Sequence, residues 1–222
     1  MYRPLTRRSS EHPLLAQLSA NRMTFDTNMG TIAVTDVSES DLCRWLFGQS
    51  PVRGLLASEL GFAPNSFTMF QVPTNKLSPH ARGPGDIDVL ISSMHAPEHT
   101  LAIQVKRVKL VPGSFYTQLP GKLQDLIHGV QQANLQAELG FHRTFLLVAV
   151  VTDGRERIDL NFASRGPTFN LARIIDEFPG LRQLVPSVGL VFIEITQPVD
   201  KDITDAGSVG IRVVRRAQVT SQ

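Results

Sequence analysis

Two apolar segments of the chain carry side chains that an apolar strand does not need. The first, Gly83 to Ser92, reads GPGDIDVLIS and holds Asp86 and Asp88. The second, Thr100 to Lys109, reads TLAIQVKRVK and holds Gln104, Lys106, Arg107 and Lys109. Strand side chains alternate between faces, so Asp86, Asp88 and Leu90 share one face, and Ile87, Val89 and Ile91 the other. On the second strand Ala102, Gln104, Lys106 and Val108 lie opposite Leu101, Ile103 and Val105. An antiparallel hairpin pairing Ile91 with Leu101 gathers Ile87, Val89, Leu101, Ile103 and Val105 on one apolar face. The same register sets Asp88 opposite Gln104 and Asp86 opposite Lys106, and a slip of one residue would destroy the match of apolar faces. Carboxylate and amide oxygens suit a hard cation such as Mg²⁺. A neighbouring lysine amine suits orientation of a water and stabilisation of developing negative charge.

Such a cluster must be held by the elements around it. Residues 1–22 begin polar and basic, with Arg3, Arg7 and Arg8, and read as an arm with a short helical piece near Leu14 to Leu18. Residues 23–36 alternate apolar and polar, as a small hairpin does. Ser38 or Ser40 can cap a helix beginning near Asp41 and running DLCRWLFG. Pro51 suits the first turn of a second helix, PVRGLLASELG, closed by Gly61. SFTMFQVP reads as a strand, and a Pro/Gly-rich loop from Asn75 to Pro84 leads into the strand pair. The segment after the pair has Leu123, Leu126, Ile127, Val130, Leu135 and Leu139 mainly at helical spacing, with Gly140 as its end. RTFLLVAVVTDG is a near-continuous apolar run, as in a central strand covered on both faces. Residues 170–184 read as a further helix, VGLVFIEITQPV as a long strand and GIRVVRRAQ as a short terminal one. The core order is helix, three strands, helix, strand. It predicts an α/β fold with a mixed central sheet flanked by helices. The expected organisation is an arm and hairpin over 1–37, a main domain over 38–200 and a C-terminal extension over 201–222.

The polar cluster resembles the catalytic core of the restriction-endonuclease-like PD-(D/E)XK nuclease superfamily. Pro84-Gly85-Asp86-Ile87-Asp88 stands where the family has its strand-borne Asp, and Gln104-Val105-Lys106 where it has its acid-x-Lys triplet. Gln in place of the acid resembles the Q-x-K branch, found in modification-dependent restriction enzymes and in nuclease effectors of antiviral defence. The branch's G-x-I-D-[VI] pattern maps onto Gly85-Asp86-Ile87-Asp88-Val89 and so selects Asp88 over Asp86. The resemblance spans roughly residues 38–153 by element order and leaves both ends uncovered. It implies a restriction-endonuclease-like core of αβββαβ order and an Mg²⁺- or Mn²⁺-dependent endonuclease, with double-stranded DNA as the substrate and restriction, repair or antiviral defence as its setting. Asp88, Gln104 and the Val105 carbonyl would hold the metal, and Lys106 would steer or polarise the attacking water. An acid from the first helices often joins such sites. Glu59, Glu39 and Asp41 are the candidates, and Glu59, just before the first core strand, is preferred. A homodimer or partner subunit would supply what one chain lacks for cutting two strands. The competing expectation is an inactive nuclease fold that binds nucleic acid or a protein, with Gln104 marking the loss.

Composition agrees with a folded chain. Of 222 residues, 42% are hydrophobic and 19% charged, enough for a sizeable core. The net charge of +2 and pI of about 8.9 are compatible with an anionic partner. Cys43 is the single cysteine, which excludes an intrachain disulfide, fits a reducing cytoplasm and reads as a small buried apolar residue. No run approaches the roughly 20 apolar residues that span a bilayer, and the N-terminal stretch lacks the apolar core of a secretory signal. A cytoplasmic protein without membrane contact is the expectation. Arg107 and Lys109 could touch a phosphate backbone, as could Arg212, Arg215 and Arg216. Gln118, Gln124, Gln131 and Gln132 lie on or near the long helix, where Gln131 or Gln132 could border the site, although a solvated face accounts for them as well. His12, His80, His95, His99, His128 and His142 form no metal-binding spacing, and GPGD lacks the Gly-Lys-Ser/Thr of a phosphate loop.

Overall fold

The computed structural model describes residues 2–5, 25–27, 30–32, 37–48, 51–77, 85–93, 95–110, 123–153, 179–197 and 208–220. Nine strands are described: β1 (Tyr2–Leu5), β2 (Phe25–Thr27), β3 (Gly30–Ile32), β4 (Phe67–Pro73), β5 (Asp86–Ser92), β6 (Leu101–Leu110), β7 (Arg143–Asp153), β8 (Gly189–Gln197) and β9 (Ser208–Arg215). The described helices are α1 (Glu39–Phe47), α2 (Pro51–Leu60), the single turn α3 (Thr74–Leu77) and α4 (Leu123–Glu138), with a 3₁₀ turn at Pro179–Gln183. Seven strands form one sheet in the order β1-β9-β8-β7-β6-β5-β4, and β2 and β3 form a separate hairpin.

β4, β5 and β6 are an antiparallel meander, after which α4 carries the chain over so that β7 lies parallel to β6. β8 runs parallel to β7, while β9 and β1 return the sheet to antiparallel pairing. The sheet is therefore mixed and the fold α/β, with the expected order of helix, three strands, helix and strand. β7 explains the long apolar run. Phe145, Leu147, Ala149 and Val151 pack into the cluster beneath α1 and α2, and Leu146, Val148 and Val150 into the cluster beneath α4. Alternation on a strand covered on both sides demands apolar residues at every position.

The helices follow their sequence signals. Ser38 caps α1, its Oγ accepting from the Asp41 N–H at 3.1 Å, so the helix opens at Glu39, two residues earlier than the sequence reading placed it. Leu42, Cys43, Leu46 and Phe47 form its buried face. Pro51 opens α2, and Gly61 closes it with φ of 76°. Gly140, with φ of 78°, follows α4, whose Leu126, Val130 and Ala133 are buried at the spacing of one helical face. Leu135 departs from that stripe and is exposed. Arg53 joins α2 to its surroundings by donating to the carbonyls of Phe47, Pro64 and Ser66 and to the Thr68 hydroxyl, fixing the ends of α1 and β4 with one planar fork.

Some expectations change. The segment read as a helix over 170–184 is, where described, the short 3₁₀ turn Pro179–Gln183, and 170–178 lie outside the described residues. Tyr2–Leu5 is an edge strand, while the helical piece near Leu14 to Leu18 lies outside the described residues. The Asn75 to Pro84 loop begins with the last three residues of α3, and 78–84 are outside the described residues. Among the described residues no helix is long and apolar enough to cross a membrane.

Candidate functional site

The hairpin β5–β6 has the register that its apolar faces dictate, with Ile91 opposite Leu101, Leu90 opposite Ala102 and Val89 opposite Ile103. There the ladder stops. Asp88, the next residue, takes its hydrogen bonds through its side chain: Oδ2 accepts from Gln104 Nε2 and from the Val105 N–H at 2.8 Å. The ladder on the other side is also interrupted at this level. Phe70 pairs with Val89 and Val72 with Ile87, but Gln71, between them, has φ of 51°, a left-handed conformation rare for a side-chain-bearing residue. Strict alternation fails across this break. Val89, Leu101, Ile103 and Val105 join the cluster under α1 and α2, whereas Ile87 packs with Leu90 and Ala102. Ile87 thus leaves the apolar face expected for it, because the pairing on both sides opens at Asp88.

Lys106 crosses the site. Its stem lies against α4 at Gly129, where an added Cβ would stand 2.5 Å from Lys106 Cγ. Its Nζ reaches Glu39 Oε1 on α1 at 3.1 Å, and Glu39 Oε2 accepts the Arg107 N–H at 3.0 Å. The carboxylate that the helical layer brings to Lys106 is therefore Glu39. Glu59, preferred from the sequence, sits in the last turn of the next helix, α2, and Asp41 bonds to the cap residue Ser38. Glu39 was the less favoured candidate because loose spacing from a helix to a strand does not say which turn faces the sheet. The first turn of α1 packs over β6 and brings Glu39 to Lys106 and to the Arg107 N–H.

α4 contributes a residue absent from the sequence reading. Gln136 is fully buried and donates from Nε2 to Gln104 Oε1 at 2.7 Å. Gln132 is half-buried, its Nε2 3.2 Å from where a Cβ on Gly85 would stand, while Gln131 is exposed. The side chain of Gln124 and residue Gln118 lie outside the described residues. The available signal for Gln136 was a polar residue in phase with Leu126, Val130 and Ala133 on the buried stripe. Thr74 Oγ1 donates to the Gly85 carbonyl at 2.9 Å and ties the start of β5 to α3.

Burial pushes the Asp88 carboxyl up to about 6, and the Glu39 and Asp86 carboxylates add to the rise, while the Val105 N–H and Lys106 oppose it. Burial, together with Asp88 and Glu39, holds the Cys43 thiol well above its ordinary range, so the buried cysteine is an uncharged core residue beside the site, as expected.

The donor set suits a hard cation in chemical type: the Asp88 carboxylate, the Gln104 amide and the Val105 carbonyl all carry oxygen. In an extended strand a residue's N–H and C=O face the same neighbour, so the Val105 carbonyl also faces β5. The orientation of Gln104 is opposite to a ligand's, since it turns its NH₂ to Asp88 and its oxygen to Gln136. Among the described residues no three His, Cys, Asp or Glu side chains form a metal-holding group.

The other candidates lie elsewhere. Arg215 donates to the carbonyls of Leu184, Val185 and Val188 and serves as a clamp within the fold, while Arg216 is exposed. His99 and His142 stack with ring centroids 4.6 Å apart, at the end of β6 and β7 remote in register from Lys106. His95 and His128 are exposed, and His12 and His80 lie outside the described residues. The side chain of Lys109 is likewise outside them. No family model matches the chain, and no curated protein or solved structure matches it.

Proposed function

We propose that the protein is a metal-dependent nuclease of the PD-(D/E)XK type, in its Q-x-K form, hydrolysing phosphodiesters of DNA. The observation that carries this reading is the bonded cluster across β5 and β6: Asp88 and Gln104 joined side chain to side chain, with Lys106 two residues further and its amine held by Glu39. The meander β4–β6 followed by α4 and a parallel β7 supports it, being the order in which that core presents such a cluster. Asp88, Gln104 and the Val105 carbonyl would hold Mg²⁺ or Mn²⁺, which when bound supplies positive charge beside the scissile phosphate.

The chain's own groups have defined parts. Lys106 keeps its proton at Nζ and offers it to charge developing on the phosphate oxygens. Glu39 holds that amine by an ion pair in which Lys106 is only 15% exposed and Glu39 35%. Asp88 must be ionised to act as a ligand, so the affinity for the cation should rise as pH rises through about 6 and level off above it.

Incubation of supercoiled plasmid with the protein and Mg²⁺ or Mn²⁺ tests the reading. Cleavage is expected, with its loss in Asp88→Ala and Lys106→Ala and a strong reduction in Glu39→Gln. Cleavage retained in both alanine variants would remove the assignment. A second reading has one observation in its favour: Gln104 presents nitrogen, not oxygen, to Asp88. A fold that binds nucleic acid or a protein partner without cutting would show binding and no cleavage with any divalent metal.

A further inference from the structure

Gln104 and Gln136 are fully buried side-chain amides joined to the cluster, and donor–acceptor chemistry fixes both. An ionised carboxylate only accepts hydrogen bonds, so the Gln104 atom facing Asp88 is the NH₂. Its oxygen then faces α4, and the Gln136 atom meeting that oxygen must be a donor, which it is. This leaves Gln136 Oε1 buried with no hydrogen-bond partner. The resting site is thus a relay of N–H groups pointing from α4 through β6 to Asp88. Turning Gln104 alone, to present oxygen beside Asp88, would set its NH₂ against the NH₂ of Gln136, two donors face to face with no acceptor between them. Turning both lets Gln104 Nε2 donate to Gln136 Oε1, the oxygen left over in the resting setting. With both residues at least 99% buried, water is not there to relieve a mismatch.

Resting on the metal-site reading above, we propose that Gln136 is a positioning residue that couples the two amides, so that a divalent cation enters only when Gln104 and Gln136 turn together. The pair has two settings: nitrogen toward Asp88 without the cation, and oxygen toward it with the cation. Replacing Gln136 by a side chain that only accepts, an ionised Glu, removes the first setting, because Gln104 must then give its NH₂ to residue 136 and its oxygen to Asp88.

Mn²⁺ titration of the full chain, followed by electron paramagnetic resonance of the free ion, tests this. Gln136→Glu is expected to bind Mn²⁺ about tenfold more tightly than the parent, the scale of one hydrogen bond gained or lost. That gain should vanish when Gln104→Met is added, since the effect passes through the Gln104 amide. The parent labelled with ¹⁵N gives a second measurement that needs no core substitution in the measured sample. Mg²⁺ should shift the side-chain NH₂ resonances of both Gln104 and Gln136, identified by their loss in the single variants. Unchanged Mn²⁺ affinity in Gln136→Glu, a gain that survives Gln104→Met, or a shift of Gln104 alone would overturn the coupling and leave the metal site standing. Absence of saturable Mn²⁺ binding in both the parent and Gln104→Glu would overturn the metal site and the coupling together.

Discussion

The centre of the sheet and its β4–β6 side obey different rules. Along β7 the ladders to β6 and β8 run unbroken, from Leu101–Arg143 to Leu110–Thr152 on one side and from Phe145–Gly189 to Asp153–Gln197 on the other. From Phe145 to Val151 every β7 side chain is apolar and buried. At Asp88 both flanking ladders are interrupted, a residue opposite it is left-handed, and a carboxyl is buried enough to rise to about 6. The same sheet is thus optimised for burial in one place and carries unfavourable features in another, a distribution expected when a site rather than stability decides the residues.

The largest effect should come from the centre. Leu147→Ala removes a fully buried side chain and should lower unfolding stability by about 3–5 kcal/mol in urea denaturation. A change under about 1 kcal/mol would show that β7 is not the core of the folded chain. At the site the sign should invert. Asp88 binds a proton more readily folded than unfolded, because its value rises from 3.8 to about 6. Its ionisation therefore costs stability as pH rises between those values, and the cost is constant above them. Asp88→Asn should be about 1–3 kcal/mol more stable than the parent at pH 8 in the absence of divalent metal, with the advantage gone below about pH 4. Loss of stability at pH 8 would mean that Asp88 is a structural acceptor first. Gly129→Ala sharpens the contrast from α4, since the new methyl meets the Lys106 stem. It should cost about 1–3 kcal/mol and disturb Lys106 without altering any charge, read by denaturation and by the plasmid assay together. Gln71→Gly should give the smallest change, a gain of up to about 1 kcal/mol from relief of the left-handed backbone. A loss instead would show that the Gln71 side chain contributes more than its backbone costs.

The sequence was most legible where burial is two-sided or alternation strict. The β7 run, the Ile91–Leu101 register and the capped start of α1 all follow from period and cap chemistry. It was least legible where a contact joins distant segments through one side chain. Nothing local distinguishes Glu39 from Glu59, because the choice depends on which helical turn packs over β6. Gln136 gives no signal of its own, because the stripe into which it falls is apolar and a single exception does not disturb the period. Ile87 was misplaced because alternation assumes an unbroken ladder, and the break at Asp88 is a tertiary event. The helix read over 170–184 becomes a 3₁₀ turn where Pro179 and Gly180 stand, residues that shorten or punctuate helices.

Lys106 rests on α4 with its stem and on α1 with its amine, so the cluster joins segments far apart in sequence. During synthesis a chain ending at β6 already contains Glu39, Asp88, Gln104 and Lys106, but neither the Gly129 seat for Lys106 nor the Gln136 amide for Gln104. The constellation closes only after α4 has left the ribosome and docked. Assembly of the site is thereby tied to the docking of α4 onto the sheet.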